Sequence, residues 1–403
     1  MSGAAPEAWA WLDCAPWLVL AALPGHVAWL LWLGNVSHAT AWPRKLIKSL
    51  AYLINTALFV VTPAAAIWAV VQLVERAASR PPEPLTTGGA AYFVLCAVNT
   101  VFGAIPWLVR RLTLRPSPLL ISDTATRFDL RPKLGDRPGR GFYGRFVATL
   151  PFNQSLEVVR QVKHVTLPRL TEALAGLRVV HLTDLHMIDR IDRRYFEEVC
   201  ELASAEEADL MLLTGDLIER DECRSWLPTT FGRLRARHGV FYVFGNHDIR
   251  IDHHRTRDEL ADLGLVDVGV RRVNLTINGV DVLLAGNAAP WIRPPCAMDD
   301  CPRPADGPQL RVLLSHSPDQ LAWARRHDFD LMLAGHVHGG QIQVPPLGPI
   351  LAPSYYGVKY ACGLFHEPPT VLHVSRGISS KLPLRFFCPP ELTTLVLAGP
   401  ANL

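Results

Sequence analysis

Between Pro16 and Val109 the chain holds three long apolar runs, Pro16 to Leu33, Leu50 to Val71 and Ala90 to Val109, and none contains an Asp, Glu, Lys or Arg. A helix crosses the hydrocarbon core of a bilayer with about 20 consecutive apolar residues. Residues 1–112 are therefore expected to form a transmembrane region of three helices, at 16–33, 50–71 and 90–109. Helices buried in a soluble protein rarely run this far without a charge. The first run is the shortest and carries Pro24 and His26; as a secretory signal it would lack its basic leader, because the first Lys or Arg is Arg44. The lack of charge within the runs argues against ion or proton transport. Asn55, Thr62, Pro63, Asn99 and Thr100 are expected to mark helix packing instead.

Basic residues are unevenly placed around these runs. None precedes the first; Arg44, Lys45 and Lys48 follow it, Arg76 and Arg80 follow the second, and Arg110, Arg111 and Arg115 follow the third. Lys and Arg near membrane ends are retained on the cytoplasmic side, so the pattern predicts an external amino terminus and a cytoplasmic carboxyl-terminal part. A net charge of +3 over 403 residues makes too weak a field to recruit nucleic acid, and no such partner is expected. From 113 to 150, basic residues such as Arg131, Lys133, Arg140 and Arg145 alternate with Pro and Gly, which reads as a juxtamembrane linker able to touch the headgroups of membrane lipids. The soluble domain is expected at 151–403. No CxxC occurs among the eight cysteines; only Cys296 and Cys301 lie close together, and they are read as free thiols in a Pro-rich loop.

Beyond residue 150 the pattern changes to short β-rich runs: Gly176 to Thr183, Ala208 to Thr214, Gly239 to Phe244, Gln309 to Leu314, Asp330 to Ala334, Thr370 to Val374 and Leu392 to Leu397. Helical stretches at Tyr195 to Ser204, Arg257 to Leu263 and Pro318 to Arg326 separate several of them, as βαβ units require. Asn278-Gly279 inside Asn274 to Leu284 signals a tight hairpin. The expected class is α/β with added hairpins.

Five strand-like runs end in polar clusters: Asp184-Leu185-His186, Gly215-Asp216, Gly245-Asn246-His247-Asp248, His316, and Gly335-His336-Val337-His338-Gly339-Gly340. In open α/β sheets ligands bind beyond the carboxyl ends of strands, so these clusters are expected to converge. Without His247 and Asp248 they supply two Asp, one Asn and four His, and no Cys. Imidazole with carboxylate and no thiolate suits Mn, Fe or Zn in a catalytic site. Seven donors exceed what one open metal uses, so two divalent ions sharing a carboxylate are expected. A serine hydrolase is disfavoured by the absence of a GxSxG elbow.

The order D-x-H, G-D, G-N-H-D, H, G-H-x-H, running from about Leu177 to Leu397, resembles the calcineurin-like metallophosphoesterase family. The resemblance implies a sandwich of two mixed sheets flanked by helices. It implies that Asp184, His186 and His338 hold one metal, that Asn246, His316 and His336 hold the other, and that Asp216 bridges them. His247 would be a general acid or transition-state stabiliser oriented by Asp248, unless Asp248 only caps the next segment. Attack would come from a metal-bound hydroxide, in line with the leaving group. Where many members carry Gly two residues after the first His, this chain has Met187-Ile188-Asp189-Arg190, so its substrate loop differs. Arg190 and Arg376 are candidate substrate-binding residues. The plan of helices before the catalytic domain is similar to that of membrane-associated bacterial phosphodiesterases. It implies an inner-membrane enzyme acting on a lipid-linked phosphodiester or pyrophosphate. A nucleotide or protein phosphatase, or a non-catalytic membrane scaffold, are the alternatives.

Overall fold

The computed structural model describes residues 14–80, 85–135, 139–188, 190–301, 303 and 309–400. Residues 136–138 of the expected linker and Asp189 lie outside them. The chain divides into two compact units, Met1–Leu114 with Pro346–Pro353, and Arg115–Pro345 with Ser354–Leu403.

The first unit is built on three helices long and apolar enough to cross a membrane, α1 (Ala15–Ala39), α2 (Arg44–Ala77) and α3 (Thr87–Leu112). The 34 residues of α2 extend about 50 Å, longer than the hydrocarbon core, so its charged ends at Arg44 to Lys48 and Glu75-Arg76 can both reach headgroup depth. Its ladder widens to a π turn at Ala57–Val61, and that of α3 does so at Thr100–Ala104. Pro63 and Pro106 follow within two residues; a proline has no N–H to return to the carbonyl four positions back, which opens the ladder there. Of the residues expected to mark packing, Thr62, Asn99 and Thr100 join helices, whereas Asn55 is exposed. His26 Nε2 lies 3.1 Å from Thr62 Oγ1, Asn99 Nδ2 donates to Gly25 O at 2.7 Å, and Thr100 Oγ1 donates to Ala21 O at 2.8 Å. At Gly25 a Cβ would stand 1.9 Å from Cys96 O, so only glycine permits the α1–α3 approach. Pro346–Pro353 belongs to this unit: Ala352 N–H donates to Asn35 Oδ1 at 2.8 Å, and Arg111 Nε donates to Leu347 O at 2.9 Å.

The second unit contains a seven-stranded and a six-stranded sheet. In chain order the strands are β1 (Leu120–Asp129), β2 (Glu157–Thr166), β3 (Arg178–Leu182), β4 (Leu210–Thr214), β5 (Val240–Val243), β6 (Leu265–Asp267), β7 (Arg272–Ile277), β8 (Val280–Asn287), β9 (Gln309–Ser315), β10 (Leu331–Ala334), β11 (Gly363–Glu367), β12 (Thr370–Val374) and β13 (Glu391–Ala398). The first sheet runs β1-β2-β13-β3-β4-β5-β6 and the second β11-β12-β10-β9-β8-β7. Strands β3 to β6 are parallel, as are β8, β9, β10 and β12; the outer pairs β1/β2, β7/β8 and β11/β12 are antiparallel. The β7/β8 hairpin closes through Asn278 and Gly279 at φ 51° and 76°, the turn their sequence favours.

Alternation along the parallel strands separates two cores. Val179, Leu210, Leu212, Phe241 and Val243 meet Val282, Leu284, Val312, Leu314 and Leu333 of the other sheet. Val180, Leu182, Met211, Leu213 and Tyr242 face the opposite way, toward Tyr195, Phe196 and Val199 of the helix Arg193–Ser204 and Leu260 of the helix His253–Asp262. This is the expected pair of mixed sheets with flanking helices.

The expected linker is a correction. Most of 113–150 is folded into the second unit: β1 pairs with β2 from Leu120–Val165 to Asp129–Glu157, and a helix, α4, spans Gly141–Ala148. Strand β1 is a sheet edge whose side chains are largely exposed, so it lacks the half-buried alternation that makes a strand legible.

Candidate metal centre

All five polar clusters leave the carboxyl ends of parallel strands, β3, β4, β5, β9 and β10, and meet at one edge of the sandwich. Their backbones are tightly constrained. Asp184, His186, Asp216, His336 and His338 all have positive φ, between 43° and 71°, a left-handed conformation costing about 1 kcal/mol or more per non-glycine residue. The motif glycines make room: a Cβ on Gly245 would lie 2.2 Å from Asp216 Oδ1, and one on Gly335 would lie 2.4 Å from Asp184 Oδ2.

The donor atoms converge. Those of Asp184, His186 and His338 lie within 4.8 Å of one another, as do those of Asp216, His316 and His336. Asp216 Oδ2 is 3.4 Å from His186 Nε2 and 3.3 Å from His316 Nε2, so it stands between the groups. Asn246 Oδ1 is 3.1 Å from His316 Nε2.

The far ring nitrogens decide what this cluster needs. His186 Nδ1 is 2.6 Å from Glu219 Oε1, His338 Nδ1 is 3.1 Å from Ser379 O, and His316 Nδ1 is 2.7 Å from Thr214 O. Each partner only accepts, so each Nδ1 donates and each Nε2 turns a lone pair inward. Yet His186 Nε2 and His338 Nε2 face each other at 3.2 Å, and His316 Nε2 faces the acceptors of Asn246 and Asp216. Lone pairs gathered this closely require a cation or a proton among them. The residues present therefore fit divalent metal ions.

Protonation follows the same logic. Burial is the largest effect and disfavours charge on His186 and His316, but Asp216 and Asp184, with Glu219 at His186 and the Thr214 carbonyl at His316, together outweigh it, and the pKa values rise to about 10 and about 9. Protons there occupy the electrostatic place of metal ions, and metal binding would displace them. Burial holds His336 neutral and lowers His338 to about 3, leaving their lone pairs available.

His247 lies at the rim of a cavity of about 430 Å³ lined also by His186, Arg190, His338, Gln341 and Lys381. Its backbone N–H donates to Asp216 Oδ1 at 2.8 Å. Its Nδ1 is 2.8 Å from Glu219 Oε1, the oxygen that also meets His186. Burial lowers the His247 pKa against the opposing pull of Asp216 and Glu219. His186, Asp216 and His247 form a third close group of donors, so proximity alone does not divide the histidines into ligands and non-ligands.

Two expectations are corrected here. Asp248 does not orient His247. It is fully buried, and its carboxylate accepts from Leu217 N (2.8 Å), Ile218 N (3.0 Å) and Gly245 N (2.7 Å), which locks the β4 and β5 loops together. The orienting carboxylate is Glu219, which sequence reasoning missed; its one signal was an acid three residues after Asp216. Arg376 is not at the cavity. Its Nε donates to buried Glu391 Oε2 at 2.8 Å, an internal ion pair. Arg190 does line the mouth, with Nη1 donating to Lys381 O at 2.7 Å.

Replacing Glu219 by Gln is expected to lower turnover by about 10- to 100-fold, the usual cost of losing the carboxylate behind a metal-ligating imidazole. Steady-state rates beside metal content per chain check this, and unchanged rates with unchanged metal would remove Glu219 from the site.

Residues 177–340 match the family model described as calcineurin-like phosphoesterase. An uncharacterized metallophosphoesterase of Bacillus subtilis, YkuE, is 30% identical over 236 residues, 55% of this chain and 79% of that one. Escherichia coli phosphodiesterase YaeI is 29% identical over 229 residues, 55% of this chain and 83% of its own. A zebrafish (Danio rerio) transmembrane protein with a metallophosphoesterase domain is 25% identical over 264 residues, 58% of this chain and 56% of that protein.

Proposed function

The chain belongs to the calcineurin-like phosphoesterase family, and on that premise we propose a phosphodiesterase or pyrophosphatase whose substrate is membrane-associated or lipid-linked. The chain is a membrane protein and a hydrolase of phosphoester bonds that uses divalent metal ions. The observation that carries the reading is the convergence of imidazole lone pairs and two carboxylates at the strand ends.

In this reading Asp184, His186 and His338 would hold one ion, Asn246, His316 and His336 the other, and Asp216 would be shared. The donor set favours Mn, Fe or Zn. Two such ions would polarise the phosphoryl group and lower the pKa of an attacking water. The chain's own residues would do the rest. Glu219 fixes the rings of His186 and His247 through their Nδ1 atoms, which leaves His247 Nε2 to meet the leaving-group oxygen at the mouth. Arg190 brings a cation to the same mouth, where a phosphodiester anion would enter.

The test is hydrolysis of bis-p-nitrophenyl phosphate by the purified full-length chain with Mn²⁺, abolished by EDTA. Metal-loaded protein without turnover would make the domain a non-catalytic scaffold. Parallel trials with phospholipid diesters, nucleotides and phosphopeptides separate the substrate classes. The bacterial relatives support an inner-membrane enzyme of a bacterium, and the basic residues flanking the spans support a catalytic domain in the cytoplasm. Reporter fusions after Thr40, Gly88 and Leu403 should read cytoplasmic, external and cytoplasmic; an external signal at Leu403 overturns that orientation.

A further inference from the structure

Four segments of the catalytic unit form one rim around the cavity mouth. Arg140 N–H donates to Arg190 O at 2.9 Å, Asn153 Nδ2 to Pro383 O at 2.9 Å, and Gln341 Nε2 to Leu382 O at 2.6 Å. Arg190, Gln341 and Leu382 themselves line the mouth. The rim is apolar in a way its fold does not require. Phe142 is 84% exposed, Phe152 88% and Phe387 64%, and Phe146, Ile342 and Val344 are exposed beside them. Phe142, Arg145 and Phe146 share the outward face of α4, while Gly144 and Val147 are buried. Phe152 and Phe387 are held at φ 62° and 53°, a conformation that bulky residues rarely adopt, and they spend it on exposure.

The charge of the rim is predominantly basic. Residues 139–153, 341–345 and 379–388 include Arg140, Arg145 and Lys381 and contain no Asp or Glu; in the Arg190 segment, Asp192 is taken up by capping the next helix and pairing with Arg194. Among the described residues no carboxylate pairs with Arg140 or Arg145. Exposed aromatic rings with an excess of basic residues match the headgroup layer of an anionic membrane, where rings settle at the interface and each Lys or Arg gains from the surface potential. A second copy of the same face would bring like charges together. The chain also runs directly from Val344 through Pro345 into Pro346–Pro353, the segment belonging with the membrane-length helices.

We propose that this rim docks on the surface of an anionic lipid bilayer and holds the mouth of the metal centre against the headgroups. It deepens the reading of a lipid-linked substrate, but the docking itself does not depend on catalysis. The experiment uses the full-length chain, with an environment-sensitive fluorophore in place of Phe146, in vesicles of phosphatidylcholine alone or with phosphatidylglycerol, each carrying a headgroup-depth nitroxide lipid. Quenching is expected with phosphatidylglycerol, weakened by salt, and reduced by about fivefold in partitioning for each of Arg140→Glu and Arg145→Glu. Retained hydrolysis of bis-p-nitrophenyl phosphate in detergent by those variants shows that they are folded. Equal or absent quenching in the two lipid compositions overturns the proposal, as does loss of exposure through concentration-dependent dimers. If the unlabelled chain fails to hydrolyse the soluble diester, the phosphoesterase reading falls while the quenching result still stands.

Discussion

Asp216→Asn is expected to abolish phosphoester hydrolysis and to reduce metal content below two ions per chain. Its Oδ2 lies 3.4 Å from His186 Nε2 and 3.3 Å from His316 Nε2, the inward nitrogens of two different donor groups. An amide there removes a negative charge that both groups share. It also turns N–H donors toward lone pairs that need a cation. The polarisation supplied by a metal pair is worth several kcal/mol at the transition state, so turnover should fall by about 10³-fold or more. Elemental analysis beside steady-state rates decides it: two retained ions with near-normal turnover would dismiss Asp216 as the shared ligand.

His247→Ala should separate catalysis from metal binding. The ring is anchored by Glu219 at Nδ1 and stands at the cavity rim, and its backbone N–H, which alanine keeps, donates to Asp216. Turnover should fall by about 10²- to 10⁴-fold, the contribution of a positioned acid. The loss should shrink with p-nitrophenolate, a leaving group that needs little protonation. Metal stoichiometry is the sharper readout, because His247 also lies within donor distance of His186 and Asp216. If stoichiometry falls with the substitution, His247 is a ligand and the division of the histidines changes.

What the sequence made legible was local. Asp184, Asp216, Asn246, His316 and His336 each follow the end of a β-rich run, so one rule about strand ends brings them together without knowledge of the sheet order. What it hid was tertiary. Glu219 serves His186, 33 residues away, across neighbouring strand ends, and no spacing rule links them. Asp248 adjoins His247 in sequence, but its carboxylate points to the amides of Leu217 and Ile218. Arg376 follows a strand end and so reads as available, while its partner Glu391, on β13, lies 15 residues further along the chain. Strand β1 escapes notice because an exposed edge carries no inward pattern.

The helical unit is assembled from two separate stretches of sequence, Met1–Leu114 and Pro346–Pro353. Cutting the gene at Arg115 would thus not release a finished soluble enzyme. The fragment would carry Leu347 and Ala352 without Arg111 and Asn35, the groups that satisfy their backbone. Shuffling this catalytic domain onto another anchor faces the same obstacle, so the anchor and the domain are expected to be inherited as one piece.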